Sequence, residues 1–121
     1  AELKALNTLG DQAMAQGNFE EISSLNQDFH RLLYSANPHQ VTQPLIESLW
    51  LQLGPFMRLA TSSLEEYYVV DRHDEAMQAI EKHDAIALQL AIKSDIREGI
   101  AFVSTPEALH NFIEQSNTSA R

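Results

Sequence analysis

The chain contains no cysteine, which excludes disulfides, thiolate metal sites and a cysteine nucleophile. A reducing compartment is compatible with that, and a cytoplasmic location is the reading adopted. Basic residues are scarce: 8 Lys and Arg stand against 17 Asp and Glu, a net charge of −9. Phosphate backbones and anionic lipid surfaces are held by basic faces, so these residues are not expected to contact DNA or a membrane directly. The acidity itself serves solubility. No apolar run approaches the ~18 residues of a membrane span, and no signal peptide is seen. The chain opens at Ala1 already inside a helical pattern, so it is expected to be a piece of a longer protein.

What is present suits one small domain. The 121 residues are 44% hydrophobic, enough to bury one core. Leu3, Leu6, Leu9, Ala13 and Met14 repeat at helical spacing, predicting a helix from about Glu2 to Gln16 that Gly17 ends. Asn18 caps a second helix, with Glu20 and Glu21 in its first turn, running to about Ala36 before Asn37-Pro38. A third runs from the Pro38–Pro44 region to about Thr61, with Leu45, Leu49, Leu53, Phe56 and Ala60 as its buried stripe and Trp50 and Met57 beside it. Gly54-Pro55 predicts a kink there. Ser62-Ser63 reads as loop, and so does Tyr67 to Val70 despite its strand propensity. A fourth helix follows to Lys82, with His73, Ala76, Met77 and Ile80 inward. His83-Asp84 is a tight turn, with Asp84 capping a fifth helix to about Phe102. Thr105-Pro106-Glu107 opens a short sixth, and Gln115 to Arg121 reads as a polar, frayed tail. The sum is an all-α antiparallel bundle of about six helices.

Within it, one stretch breaks the rule of apolar faces. Ile22, Leu25, Phe29 and Leu33 form a stripe, and Asn26 and His30 sit one turn apart on or beside it. His73 and Asp95 lie on apolar faces of the fourth and fifth helices. Bundles assemble metal sites from such positions on facing helices. Two imidazoles with oxygen donors suit Zn, Ni, Mn or Fe. The same residues also fit a hydrogen-bonded core, with Asp95 paired to a histidine or to Arg58. His39, His83 and His110 are expected at the surface.

Asn26-x-x-Phe29-His30-x-x-Leu33 followed by Ser35-Ala36-Asn37-Pro38 resembles the motif of the FCD domain. That domain is the effector-binding C-terminal domain of FadR-type members of the GntR family of bacterial transcription regulators. His73-x-x-Ala76-Met77-x-Ala79-Ile80-x-x-x-Asp84 resembles the family's second signature. The resemblance runs from about Ala1 to Ile96. It implies an antiparallel bundle that forms a homodimer around a central cavity, in many members with a metal on one Asp and three His. Carried over by position, the Asp corresponds to Asn26, two of the His to His30 and His73, and the third His to Asp95. The two departures keep oxygen donors and favour Mn, Mg or Fe relative to Zn. The family's first helix, which often supplies an effector-contacting arginine, has no counterpart here, and neither does its N-terminal winged helix-turn-helix. Arg58 remains as a candidate carboxylate clamp.

The expected role is therefore an effector-sensing and dimerisation domain. It would bind a small carboxylate metabolite, through a divalent metal where one is held, to control DNA binding by a separate domain. A metal-dependent enzyme is the first competitor, because two His and an Asp with an open position can activate water. No general base stands beyond the ligands, and the reading is non-enzymatic. A metal-free helical interaction module is the second competitor.

Overall fold

The computed structural model describes residues 1–61 and 72–119, with the side chains of 1–54, 72–101, 104–107, 110, 113–114 and 117–118. Among these residues there are six helices and no strand, as the periodicity predicts. They are α1 (Glu2–Ala15), α2 (Phe19–Ser35), α3 (Gln43–Thr61), α4 (Arg72–Glu81), α5 (Ala85–Val103) and α6 (Pro106–Ser119). The chain divides into two compact units, Ala1–Thr61 and Ser62–Arg121. No helix is long and apolar enough to cross a membrane among the described residues.

In the first unit α2 packs against both α1 and α3. The α1–α2 turn follows directly from its residues. Gly17 takes φ 66°, a left-handed conformation without cost for glycine. Its N–H donates to Met14 O at 3.0 Å, and the Asn18 N–H donates to Ala13 O at 2.9 Å, closing a Schellman motif. Asn18 then caps α2. Its side-chain oxygen accepts from the Glu21 N–H at 3.3 Å, and its amide donates to the Glu21 carboxylate at 2.7 Å. The first bond satisfies one donor that a bare helix start leaves open, and the second ties the capping side chain to Glu21. At the other end of α2, the Asn37 oxygen accepts from the His39 N–H at 2.9 Å, an Asx turn that stops the helix ahead of Pro38.

Phe29 is the anchor of this unit, only 1% exposed, with Ala13 of α1 also buried. Ile22, Leu25 and Leu33 flank Phe29 on the half-buried face, as expected. In α1 the inner line is Leu3, Leu6, Gly10 and Ala13, whereas Leu9 is half-exposed.

The third helix corrects the expected stripe. Leu45, Leu49 and Leu53 are 65%, 55% and 47% exposed. The inward positions are Ile46, Trp50 and Gly54. α3 carries two adjacent apolar stripes, and only one can face α2. Trp50 decides which, because it stacks on Tyr34 with ring centroids 6.4 Å apart and an interplanar angle of 15°. Arg31 reinforces this orientation, donating to Glu47 at 3.3 Å and lying 5.9 Å from the Trp50 ring centre. The helix is continuous through Gly54-Pro55. The side chains of Phe56, Met57 and Ala60 lie outside the described residues, as does the Ser62 to Val70 stretch.

In the second unit α4 packs on α5, and α5 contacts α6. The α4–α5 turn repeats the Schellman geometry of the first hairpin. The His83 N–H donates to Ile80 O at 3.1 Å and the Asp84 N–H to Ala79 O at 2.9 Å. Here the left-handed residue is His83, φ 53°, in the position glycine holds in the first hairpin. Asp84 accepts from the Ile86 and Ala87 N–H groups at 3.1 and 2.9 Å, the expected cap. The buried apolar side chains are alanines, Ala76 and Ala79 on α4 and Ala91 on α5. Ile80, expected inward, is 37% exposed, because Ala79 takes the inner position. On α5, Leu88, Ala91, Ile92, Asp95 and Gly99 share the sheltered face. The last helix runs past the expected tail start to Ser119. The Thr118 hydroxyl donates to Glu114 O at 2.9 Å, so a polar side chain is satisfied within the helix instead of ending it.

Arg72 ties the start of α4 to α5. It donates to Glu98 at 2.7 Å and to Glu75 at 2.9 Å. The hydrogen bonds from Arg72 hold the Glu98 carboxyl below its ordinary value. A carboxyl lowered in the fold adds stability above its unfolded value of ~4.3 and loses it as pH falls through the folded value. Glu98→Gln is therefore expected to lower the melting temperature at pH 7, with the difference from the wild type shrinking at pH 3. The gap at pH 7 should shrink in high salt, since the pair is at the surface. A gap that persists unchanged at pH 3 would exclude this origin.

Candidate metal centre

The candidate ligands fall in both units, and each set stands in its own surroundings. In the first unit His30 is 4% exposed on α2. Its position follows from the α2 pattern, one residue after the fully buried Phe29, whose ring meets the imidazole edge-on at 5.9 Å and 85°. Tyr34, one turn on, brings its hydroxyl to 3.2 Å from His30 Nδ1. Trp50 of α3 stands 6.4 Å from the imidazole centre. Asn26, one turn before His30, is half-buried on the same helix.

In the second unit His73 is 7% exposed on α4. The sheltered face of α5 presents Asp95, with 16% of its side chain exposed. His73 Nε2 and Asp95 Oδ2 are 3.8 Å apart. That separation exceeds a hydrogen bond. It lies within the ~4.2 Å that two donors, each ~2.1 Å from one ion, can span. The donor chemistry therefore fits a divalent cation: a buried imidazole beside a sheltered carboxylate. Within the second unit, His73 and Asp95 are two of the donors such an ion takes.

His39, His83 and His110 are all exposed, as expected. His110 lies 3.2 Å from Glu114, one helical turn away. The side chain of Arg58 is outside the described residues. Tyr34 and Trp50 were not legible as site residues, although the i, i+4 spacing of His30 and Tyr34 is the signal that places the two rings together.

Residues 1–98 match the model of the FCD domain family. This chain belongs to the FCD family. The match runs from α1 through most of α5, across His30, His73 and Asp95. Among curated proteins and among solved structures, nothing matches the chain. An FCD domain is the effector-binding domain of GntR-family transcription regulators, and the all-helical architecture is that of an FCD-like bundle.

Proposed function

We propose that this FCD domain senses a small carboxylate metabolite through a divalent metal held by His30, His73 and Asp95, with Asn26 as a further oxygen donor. The observation that carries the reading is the sheltered His73–Asp95 pair, at ligand separation, in a chain matched by the FCD family. When bound, such an ion supplies a positive charge to a carboxylate in a sheltered setting. His30 and His73 contribute neutral nitrogen donors and Asp95 a negative charge, so the set leaves net positive charge on a divalent ion for an anion to meet. Arg58 is proposed as a second contact, a guanidinium able to take a carboxylate with two parallel hydrogen bonds. The replacement of one imidazole of the common pattern by Asp95 hardens the donor set towards Mn, Mg or Fe.

Regulation would follow from differential affinity. An effector that binds one dimer arrangement better than another shifts the population between them and moves attached DNA-binding domains. Such domains would be of the winged helix-turn-helix type, N-terminal to these residues. The exposed leucines of α3 support a homodimer, since an apolar face of this kind marks a contact surface. The negative charge of −9 is consistent with leaving the DNA contact to another domain.

The test is calorimetric. A panel of small mono- and dicarboxylates is titrated into protein loaded with Mn and into protein stripped by a chelator. At least one acid is expected to bind the loaded form 10-fold or more tightly than the stripped form. Equal binding to both forms, or to neither, would remove the metal from the sensing mechanism.

A further inference from the structure

We infer that Tyr34 is a positioning residue that selects which nitrogen of His30 meets the metal; this rests on the metal reading above. A neutral imidazole carries one proton, on Nδ1 or on Nε2, and the nitrogen bearing it cannot ligate. Nδ1 is engaged by the Tyr34 hydroxyl at 3.2 Å. If the proton sits on Nε2, the phenol donates to Nδ1 and Nε2 offers no lone pair. If it sits on Nδ1, the imidazole donates to the phenol oxygen and Nε2 becomes the ligand atom. With Tyr34 at Nδ1, a metal at His30 meets Nε2, and Tyr34 is then the acceptor. The hydroxyl is the partner that holds the ring in that tautomer and orientation, as outer partners of metal-bound histidines do.

The surroundings pre-place that hydroxyl. The Tyr34 ring is stacked on Trp50. Trp50 in turn lies under the Arg31 guanidinium, which donates to Asp28 at 2.7 Å and to Glu47 on α3 at 3.3 Å. Phe29 meets the imidazole edge-on, with ring centroids 5.9 Å apart. Each support lies on α2 or α3, so the hydroxyl is placed beside Nδ1 within the first unit.

Tyr34→Phe deletes the hydroxyl and keeps the stacking ring. Nitrogen NMR of histidine-labelled, metal-free protein is expected to show His30 protonated on Nδ1, and to show that preference lost in Tyr34→Phe. Mn affinity, read by competition with a chelating dye, is expected to fall about 10- to 100-fold in the variant. The melting temperature of the metal-free protein should stay within a few degrees of wild type, which separates positioning from a fold defect. A wild-type His30 protonated on Nε2, or a Tyr34→Phe protein with unchanged tautomer and unchanged Mn affinity, overturns the role of Tyr34. Failure of the wild type itself to bind Mn, Zn, Ni or Fe overturns the metal reading, and the role of Tyr34 with it.

Discussion

His73→Ala is expected to abolish metal binding, with a loss of at least 100-fold in Mn or Zn affinity, and His30→Ala to do the same. The expectation follows from where the two imidazoles sit. Each is more than nine-tenths buried, His30 beside Phe29 and Tyr34, His73 beside Asp95. An ion that binds the folded chain alone stabilises it by ~2.7 kcal/mol at 100 times its dissociation constant. Thermal melts should therefore rise with added Mn or Zn in the wild type and stay flat in either variant. His73→Leu sharpens the comparison. If His73 were only a core histidine, removing a buried polar group in favour of carbon would be neutral or stabilising, and the metal response of the melt would be untouched. If it is a ligand, the response disappears whatever the basal stability does. A wild type whose melting temperature ignores every divalent metal would favour the metal-free helical module.

The second large effect is structural. Phe29→Ala is expected to cost about 3–5 kcal/mol, the usual price of emptying a buried aromatic site. Phe29 is the one large side chain among the described residues with less than 2% exposure. The other buried apolar side chain described in the first unit is Ala13, too small to fill the gap. Against a typical stability of ~5–15 kcal/mol, the loss is severe. Urea denaturation followed by the fluorescence of Trp50, the chain's sole tryptophan, reads it directly. A loss below ~1 kcal/mol would mean that Phe29 does not anchor the first unit. Because Phe29 also walls the His30 ring, the variant should lose metal affinity even where it remains folded.

Much of this fold was legible because short-range chemistry dominates its turns. Gly17-Asn18 and His83-Asp84 each place a left-handed residue before a capping side chain, and both hairpins form there. The inward face of α2 was equally readable, since Ile22, Leu25, Phe29 and Leu33 leave no rival stripe. α3 was not. Its residues offer Leu45, Leu49 and Leu53 on one side and Ile46, Trp50 and Gly54 on the next, and periodicity cannot choose between neighbouring stripes. The choice is made by a long-range contact, the stacking of Trp50 on Tyr34, which no local pattern contains. α6 outran its expected end for a related reason: polar residues near a terminus read as a tail, yet hydroxyls such as Thr118 can satisfy themselves on the helix backbone.

The candidate site divides in the same way. His30, His73 and Asp95 stand out in the sequence as polar residues on apolar faces; His30 and His73 are buried and Asp95 is sheltered. Asn26 shares the α2 face of His30 but is only half-buried. Tyr34 was hidden because a tyrosine beside an apolar stripe looks like ordinary packing. Only its hydroxyl, reaching back one turn to Nδ1, gives it a task.

Elemental analysis of the purified protein, after incubation with Mn, Zn, Ni and Fe in turn and removal of excess ion, tests the central claim most directly. About one ion is expected to be retained per chain for at least one of these metals, and none in His30→Ala or His73→Ala. Retention of no ion by the wild type, or equal retention by the two alanine variants, would contradict it.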